Sequence, residues 1–425
     1  MNSRGLKLRL TIMSFLEFAV WGAYLTSMGR YLIEVGLAED IGWFYSVQGI
    51  VSLFMPALLG IVADRWVQAQ RLLGLCHLMA GLFMARAAFY GMTNAGNVSF
   101  STLFTLYTLS VAFYMPTLGL ANSVAYSVLA GAGLDTVKSY PPIRVFGTVG
   151  FIITMISIDL LGLQNTYGQF FVSAGLSFVL AAYAFTLPQC ATGGTGKGKS
   201  FVQMMGLDAF SLFKQRRMAI FFIFSMLLGV SLQITNGYAN PYITQFADVA
   251  EYAGTFGVQH PNILISLSQM SETICILLIP FFLRRYGIKN VMLIAMVAWT
   301  LRFGLFGFGN PGDGLWMFVI SMIVYGVAFD FYCVSGSLFV DKETDPSIRS
   351  SAQGLFMMMT NGLGAMIGTL GAQFVVNKYV YSPTQTDVID GWRTSWFIFA
   401  GYALVVAVLF SIIFREKHTP AKHAE

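Results

Sequence analysis

Apolar residues run through this chain in blocks of about twenty or more, separated by short polar breaks, and not in the one-sided stripes of a soluble helix. About twelve blocks are long enough to cross a hydrocarbon core of about 30 Å. They fall near 9–32, 41–63, 70–92, 99–130, 143–163, 167–187, 217–246, 262–284, 289–309, 314–340, 350–378 and 392–414. Only helices satisfy their own backbone groups in lipid without closing a barrel, so the pattern predicts an all-helical membrane protein. The first block is too long for a cleaved secretory signal and lacks a small-residue cleavage site, so it reads as a retained span. Between the sixth and seventh blocks, residues 188–216 are rich in Gly, Thr, Ser and Lys and read as a linker. Its last part, "GLDAFSLFKQRR", suits a short amphipathic helix. The organisation is thus a six-helix half over 1–187, the linker, and a second six-helix half over 217–425.

Composition agrees. Of 425 residues, 56% are hydrophobic and 11% charged, against about 25% charged in a soluble domain. A net charge of +5 would suggest nucleic acid for a soluble protein. Here Lys and Arg cluster in alternate loops: at Arg4, Lys7 and Arg9, at Arg65 and Arg71, at Lys138, through the linker, at Arg284, Arg285 and Lys289, and at Lys342, Arg349, Arg415 and Lys417. The opposite side holds little beyond Lys378 and Arg393. The positive-inside rule then places both termini and the linker in the cytoplasm, as an even number of spans requires. Cys76, Cys190, Cys275 and Cys333 form no C-x-x-C pair, and His77, His260, His418 and His423 form no metal pair at helical spacing. No cofactor is expected, and no nucleic acid polymer as partner. An enzyme should show a nucleophile with its base, or a metal cluster; a sensor should show a soluble signalling domain. Neither pattern is present.

The halves echo each other. "GIVADRWVQAQRLL" follows the second block and "PFFLRRYGIKNVML" the eighth; "ARAAFYG" closes the third and "LRFGLFG" the ninth. The last pair sets Arg86 and Arg302 in matching positions near outer helix ends, where long cationic side chains snorkel. Two repeated six-helix halves are the mark of a transporter with a midplane site between them.

Polar residues at depth are costly, roughly 2.5–3.5 kcal/mol for a charge on insertion scales, and are functional by default. In the fifth block Arg144, Thr148 and Phe151 share one stripe at i, i+4, i+7. In the seventh, Gln233 and Asn236 stand three apart on one face, a spacing that Gln269 and Glu272 repeat in the eighth. In the tenth, Tyr325 and Phe329 share a face, with Asp330 beside them. In the first, Glu17, Trp21 and Tyr24 form a stripe. Taken singly, the amides suit helix–helix hydrogen bonds and the aromatics suit packing. Arg144 and Glu272 suit either a site or a buried ion pair, and Glu17 suits a pocket, a proton path or helix adhesion. Together the groups offer a cation, carboxylates, amides and aromatic faces. That set fits a base to sandwich, an amide-like edge and a ribose diol, and it also fits a sugar, a nucleobase or a drug.

The loop Gly60-x-x-x-Asp64-Arg65 followed by Arg71 resembles the signature of the major facilitator superfamily, and "RRYGIKN" its weaker second copy. Longer segments narrow the resemblance: "MPALLGIVADRW", "YMPTLGLANS", "PPIRVFGTVGF", "RMAIFFIFSMLLG", "LQITN", "SQMSET", "PFFLRRYGIKNVM", "IVYGVAFDF" and "SAQGLFMMMTNG" are similar to the nucleoside:proton symporter family from the first span to the twelfth. The resemblance implies a twelve-helix fold in a bacterial inner membrane, a monomer that imports nucleosides with protons by alternating access. It implies that Arg144, Thr148, Phe151, Gln233, Asn236, Gln269, Glu272, Tyr325 and Phe329 bind substrate. It ties Asp330 to proton coupling, with Glu272 a second candidate. Asp64, Arg65 and Arg71 would then form a cytoplasmic latch. At Glu17 the family pattern implies Gln, so an additional acid there makes Glu17 a further candidate for the proton.

Overall fold

The computed structural model describes residues 3–190, 207–345, 348–382 and 387–415. Every regular element among them is helical. The chain divides into two compact units, Met1–Met205 and Gly206–Glu425. The first half of the expected linker lies outside the described residues. Its end, Leu207–Lys214, forms a 3-10 helix with Ala209 and Leu212 buried.

In the N-terminal unit the helices are α1 (Ser3–Gly22), α2 (Met28–Glu34), α3 (Ile41–Arg65), α4 (Ala69–Thr93), α5 (Phe100–Gly131), α6 (Thr136–Leu160) and α7 (Gly168–Ala184). The first expected span is therefore two helices, α1 and α2, joined by a turn at 23–27. The chief packings are α1 on α6 and α4 on both α5 and α7. Two glycines allow the first. A Cβ on Gly150 would stand 2.2 Å from the carbonyl oxygen of Phe15, and one on Gly22 would stand 2.4 Å from that of Phe151. With only hydrogens there, the two backbones come close, and the side chains next to the glycines are held in fixed relation.

The C-terminal unit holds α8 (Arg216–Leu232), α9 (Ile234–Gln245), the short α10 (Phe256–Gln259), α11 (Pro261–Phe308), α12 (Leu315–Glu343), α13 (Arg349–Met357), α14 (Ala365–Tyr379) and α15 (Val388–Ile413). The 48-residue run α11 contains two spans. Gly287, with φ +76° and ψ 168°, breaks it where the hydropathy pattern predicts a loop. The expected seventh span is interrupted at Gln233, between α8 and α9. A π-helical turn, Met358–Gly364, joins α13 to α14. Packed at the core are Tyr242, Phe306, Trp392 and Trp396, all without exposed surface; Phe306 stacks on Trp396 at 4.6 Å between centroids.

Outer faces are apolar. On α11, Leu277 is 77% exposed and Ile274 61%. Such residues would be liabilities in water and are what hydrocarbon requires. Among the described residues, eight helical stretches are long and apolar enough to span a membrane, and Gly168–Ala184 is a shorter apolar helix.

Candidate functional site

In the N-terminal unit, α6 carries Arg144, Thr148 and Phe151 on the side that meets α1. The Arg144 guanidinium lies 3.9 Å from the ring centroid of Phe18, a distance at which a cation is held by the ring face. Phe151 is buried and meets Trp21 edge-on at 6.2 Å; Trp21 in turn packs against Tyr114 of α5 at 6.3 Å. Arg144 and Thr148 are half-buried. The stripe read from spacing is thus backed by an aromatic wall from α1 that spacing on α6 could not reveal.

In the C-terminal unit, Asn236 donates from Nδ2 to Oε1 of Gln233 at 2.8 Å. The pair sits at the break between α8 and α9, where the helix ladder is already interrupted. Gln269 and Glu272 are half-buried on α11, whereas Met270, Ile274 and Leu277 are exposed. The polar pair and the lipid-type residues therefore occupy different faces. Tyr325 and Phe329 stack at 5.6 Å and 10°. Asp330 is 4% exposed, and its Oδ2 has no hydrogen-bond partner among the described residues. The carboxyls of Glu272 and Asp330 are near enough to act on each other electrostatically, and both act on Tyr325. The hydroxyl of Ser271, next to Glu272, donates to the Ile323 carbonyl of α12, which locks the two helices in register at this depth.

Arg302 corrects the sequence reading. It does not snorkel: its side chain is 1% exposed. Nη1 donates to the Ser321 carbonyl at 2.6 Å, and the guanidinium lies 4.7 Å from the Tyr325 ring centroid. The hydroxyl of Ser321 donates back to the Arg302 carbonyl at 2.9 Å. Trp299 meets the same tyrosine edge-on at 5.9 Å. So Tyr325 stands among Arg302, Trp299 and Phe329. Arg86, its counterpart in the repeat, is exposed beside Phe89. The matching sequence position does not carry a matching environment, because α12 supplies a carbonyl and an aromatic face to Arg302.

Glu17 and Tyr24 are buried and Trp21 is half-buried. Sequence reasoning missed the partner of Glu17, which is His77 of α4, with Nε2 2.8 Å from Oε2. At the end of α3, the side chains of Asp64 and Arg65 lie outside the described residues; Arg71, in the first turn of α4, is exposed. Among the described residues no group of His, Cys, Asp and Glu could hold a metal ion.

The sequence model for "Nucleoside H+ symporter" matches residues 4–419. This chain belongs to that family. Among relatives of the symporter family, it is 47% identical to the xanthosine permease of Escherichia coli (strain K12) over 418 residues, covering 98% of this chain and 97% of that protein. It is 48% identical to the nucleoside permease NupG of the same organism over 417 residues, covering 97% of each. The crystal structure of nucleoside transporter NupG superposes with a TM-score of 0.88 at 47% identity, covering 98% of this chain and 100% of that one. The fold is therefore the all-helical, twelve-span major facilitator fold of a multi-pass membrane transporter: the hydropathy pattern predicts the helices and the motif resemblance implies the fold.

Proposed function

We propose that this protein imports nucleosides together with protons by alternating access, in the inner membrane of a bacterium, as a monomer with both termini in the cytoplasm. Family membership across nearly the whole chain carries the reading. The side chains on each unit support it. Arg144 can give a planar fork of donors to a base edge, with Phe151 as an apolar neighbour. The Tyr325–Phe329 stack offers an aromatic face, the hydrogen-bonded pair Gln233–Asn236 offers donors and acceptors, and Gln269 adds another amide. Thr148 adds a hydroxyl on the Arg144 stripe. Glu272 is an acceptor suited to the two hydroxyls of a ribose. Asp330, buried with one unmet oxygen and a second acid nearby, is the group for which a proton is the simplest partner. Asp64, Arg65 and Arg71 are assigned to a cytoplasmic latch in a cycle of the two halves, 1–187 and 217–425, joined by the linker 188–216. The cycle needs no covalent step and no cofactor. For net transport, proton and substrate must favour one facing state over the other.

The test is uptake of a radiolabelled nucleoside panel into proteoliposomes with an imposed pH gradient. Nucleosides should accumulate, and a protonophore should abolish accumulation. Uridine should compete well, 2′,3′-dideoxyuridine poorly and uracil hardly at all. Loss of a charge-assisted hydrogen bond, about 1.5–3 kcal/mol, corresponds to roughly tenfold or more. Glu272→Ala should remove that ranking. Equal competition by uracil and dideoxyuridine would take the ribose from Glu272, and competition by free sugars or drugs with no nucleoside uptake would replace the substrate class.

A further inference from the structure

Glu17 lies in α1 with no exposed surface, and the proposed transport cycle makes no use of it. Both its oxygens are held. The hydroxyl of Thr117 on α5 donates to Oε1 at 2.6 Å, and Nε2 of His77 on α4 stands 2.8 Å from Oε2. His77 is equally buried. Its Nδ1 is 3.0 Å from Oγ of Ser177 on α7, and that hydroxyl is also 3.0 Å from the His77 carbonyl oxygen. The Tyr114 hydroxyl donates to the Glu17 carbonyl at 2.8 Å. Four helices thus converge on one acid and one imidazole.

The Thr117 hydroxyl also lies 2.5 Å from the Tyr114 carbonyl oxygen; with its one hydrogen given to Oε1, counting hydrogens gives two arrangements. A serine hydroxyl has a single hydrogen. If it points to the His77 carbonyl, Ser177 can only accept from the ring, so Nδ1 carries a hydrogen. One further proton then lies between Nε2 and Oε2, and the pair is neutral overall, whether written as imidazole with carboxylic acid or as imidazolium with carboxylate. If the hydroxyl turns to Nδ1, the ring's hydrogen sits on Nε2 and points at the Glu17 carboxylate. The pair then holds one proton fewer and carries charge −1. Both arrangements satisfy both ring nitrogens and both carboxyl oxygens. They differ by one proton and one hydroxyl rotation, with no helix displaced.

The titratable and charged groups around the pair are Cys76 on α4, Tyr114 on α5, and Tyr140 and Arg144 on α6; α7 contributes the neutral Ser177. Arg144 is the cation of this set. It acts electrostatically on Tyr114 and Tyr140 together with Glu17, and its guanidinium rests on Phe18, the neighbour of Glu17. Ser177 and Tyr114 also line a gap too small to hold a water, together with Tyr24, Ser110 and Ser173.

We propose that Glu17 and His77 form a proton-binding site of the N-terminal unit, separate from Asp330 and Glu272, that takes up and releases one proton through the Ser177 hydroxyl switch. The test uses full-length protein in lipid with His77 as its only histidine (His260→Asn, His418→Gln, His423→Gln) and 15N-labelled imidazole. Between about pH 5 and 9, the range in which an imidazole changes state, the Nδ1 resonance should move from the protonated to the unprotonated range, leaving the hydrogen on Nε2 at the alkaline end. Nδ1 in one state throughout would overturn the proposal. In Glu17→Gln the midpoint should shift by about one pH unit or more, since the facing carboxylate is gone; an unshifted midpoint would assign the proton to the ring alone and also overturn it. The unsubstituted pair decides the question even if Glu17→Gln does not fold. No substrate is added, so the outcome is independent of the nucleoside assignment.

Discussion

Glu17 and Asp330 are both buried carboxyls, 0% and 4% exposed, one in each unit of the chain. Their bonding is opposite. Glu17 has a partner on each oxygen, from Thr117 and His77. Asp330 has an Oδ2 with none among the described residues, and another acid, Glu272, acts on it electrostatically. The contrast shows that burial by itself does not say what an acid is for. A carboxyl with an imidazole and a hydroxyl as partners keeps its geometry whichever way the shared proton sits. A carboxyl with an unmet oxygen beside a like charge is stabilised most simply by a proton, and loses that stabilisation when the proton leaves. Hence Asp330 suits the step that drives the cycle, and Glu17 suits a store that responds to pH without rearranging helices.

The largest effect that could break this contrast is at Asp330. An amide has nearly the same shape but cannot exchange a proton, so Asp330→Asn should abolish accumulation against a gradient while leaving substrate exchange partly intact. The measurement is radiolabelled uptake with and without a protonophore, beside counterflow in vesicles at equal pH. If the variant still concentrates substrate with normal protonophore sensitivity, the two acids do not divide the labour in this way.

Smaller, but still large, is the effect expected at Arg144. Lysine keeps the charge and loses the planar fork of donors and the flat cation that lies on Phe18. Arg144→Lys should therefore weaken nucleoside binding by roughly tenfold or more, read by calorimetry on purified protein. Near wild-type affinity would mean that charge alone, or neither property, matters at this position.

Much of the architecture was legible because hydropathy reports directly on length in a membrane. The break between the eighth and ninth spans falls at Gly287, whose φ of +76° few other residues adopt. Over short distances spacing also served: Gln233 and Asn236 are hydrogen-bonded across the break between α8 and α9, and Tyr325 and Phe329 are stacked within α12. What spacing could not supply was any pairing between helices. Glu17 and His77 are 60 positions apart, and nothing in the pattern of either helix selects the other. Arg302 shows the same limit, since the repeat equates it with Arg86 although only Arg302 is given a carbonyl and a ring by α12. The interruptions at 23–27 and at Gln233 were also invisible, because apolar composition continues across them. A helix in a bundle can break wherever its neighbours or side chains satisfy the freed backbone groups.

Phe18 offers the smallest and most discriminating change. It follows Glu17 in α1, and its ring supports the Arg144 guanidinium at 3.9 Å. It carries no charge and no hydrogen-bonding group, so Phe18→Leu leaves the Glu17–His77 proton count untouched and removes only the face under the cation. A cation–ring contact at a half-buried site is worth about 1 kcal/mol, which corresponds to roughly a fivefold loss of nucleoside affinity. If Arg144 is positioned through this ring, the loss should appear as weaker binding, with the Nδ1 titration of His77 unmoved and accumulation still sensitive to a protonophore. A Phe18→Leu protein with unchanged affinity would show that α6 alone orients Arg144, and the aromatic wall of α1 would then be packing. A displaced His77 titration would show instead that the ring separates the pair from the guanidinium, which act on each other once it is removed.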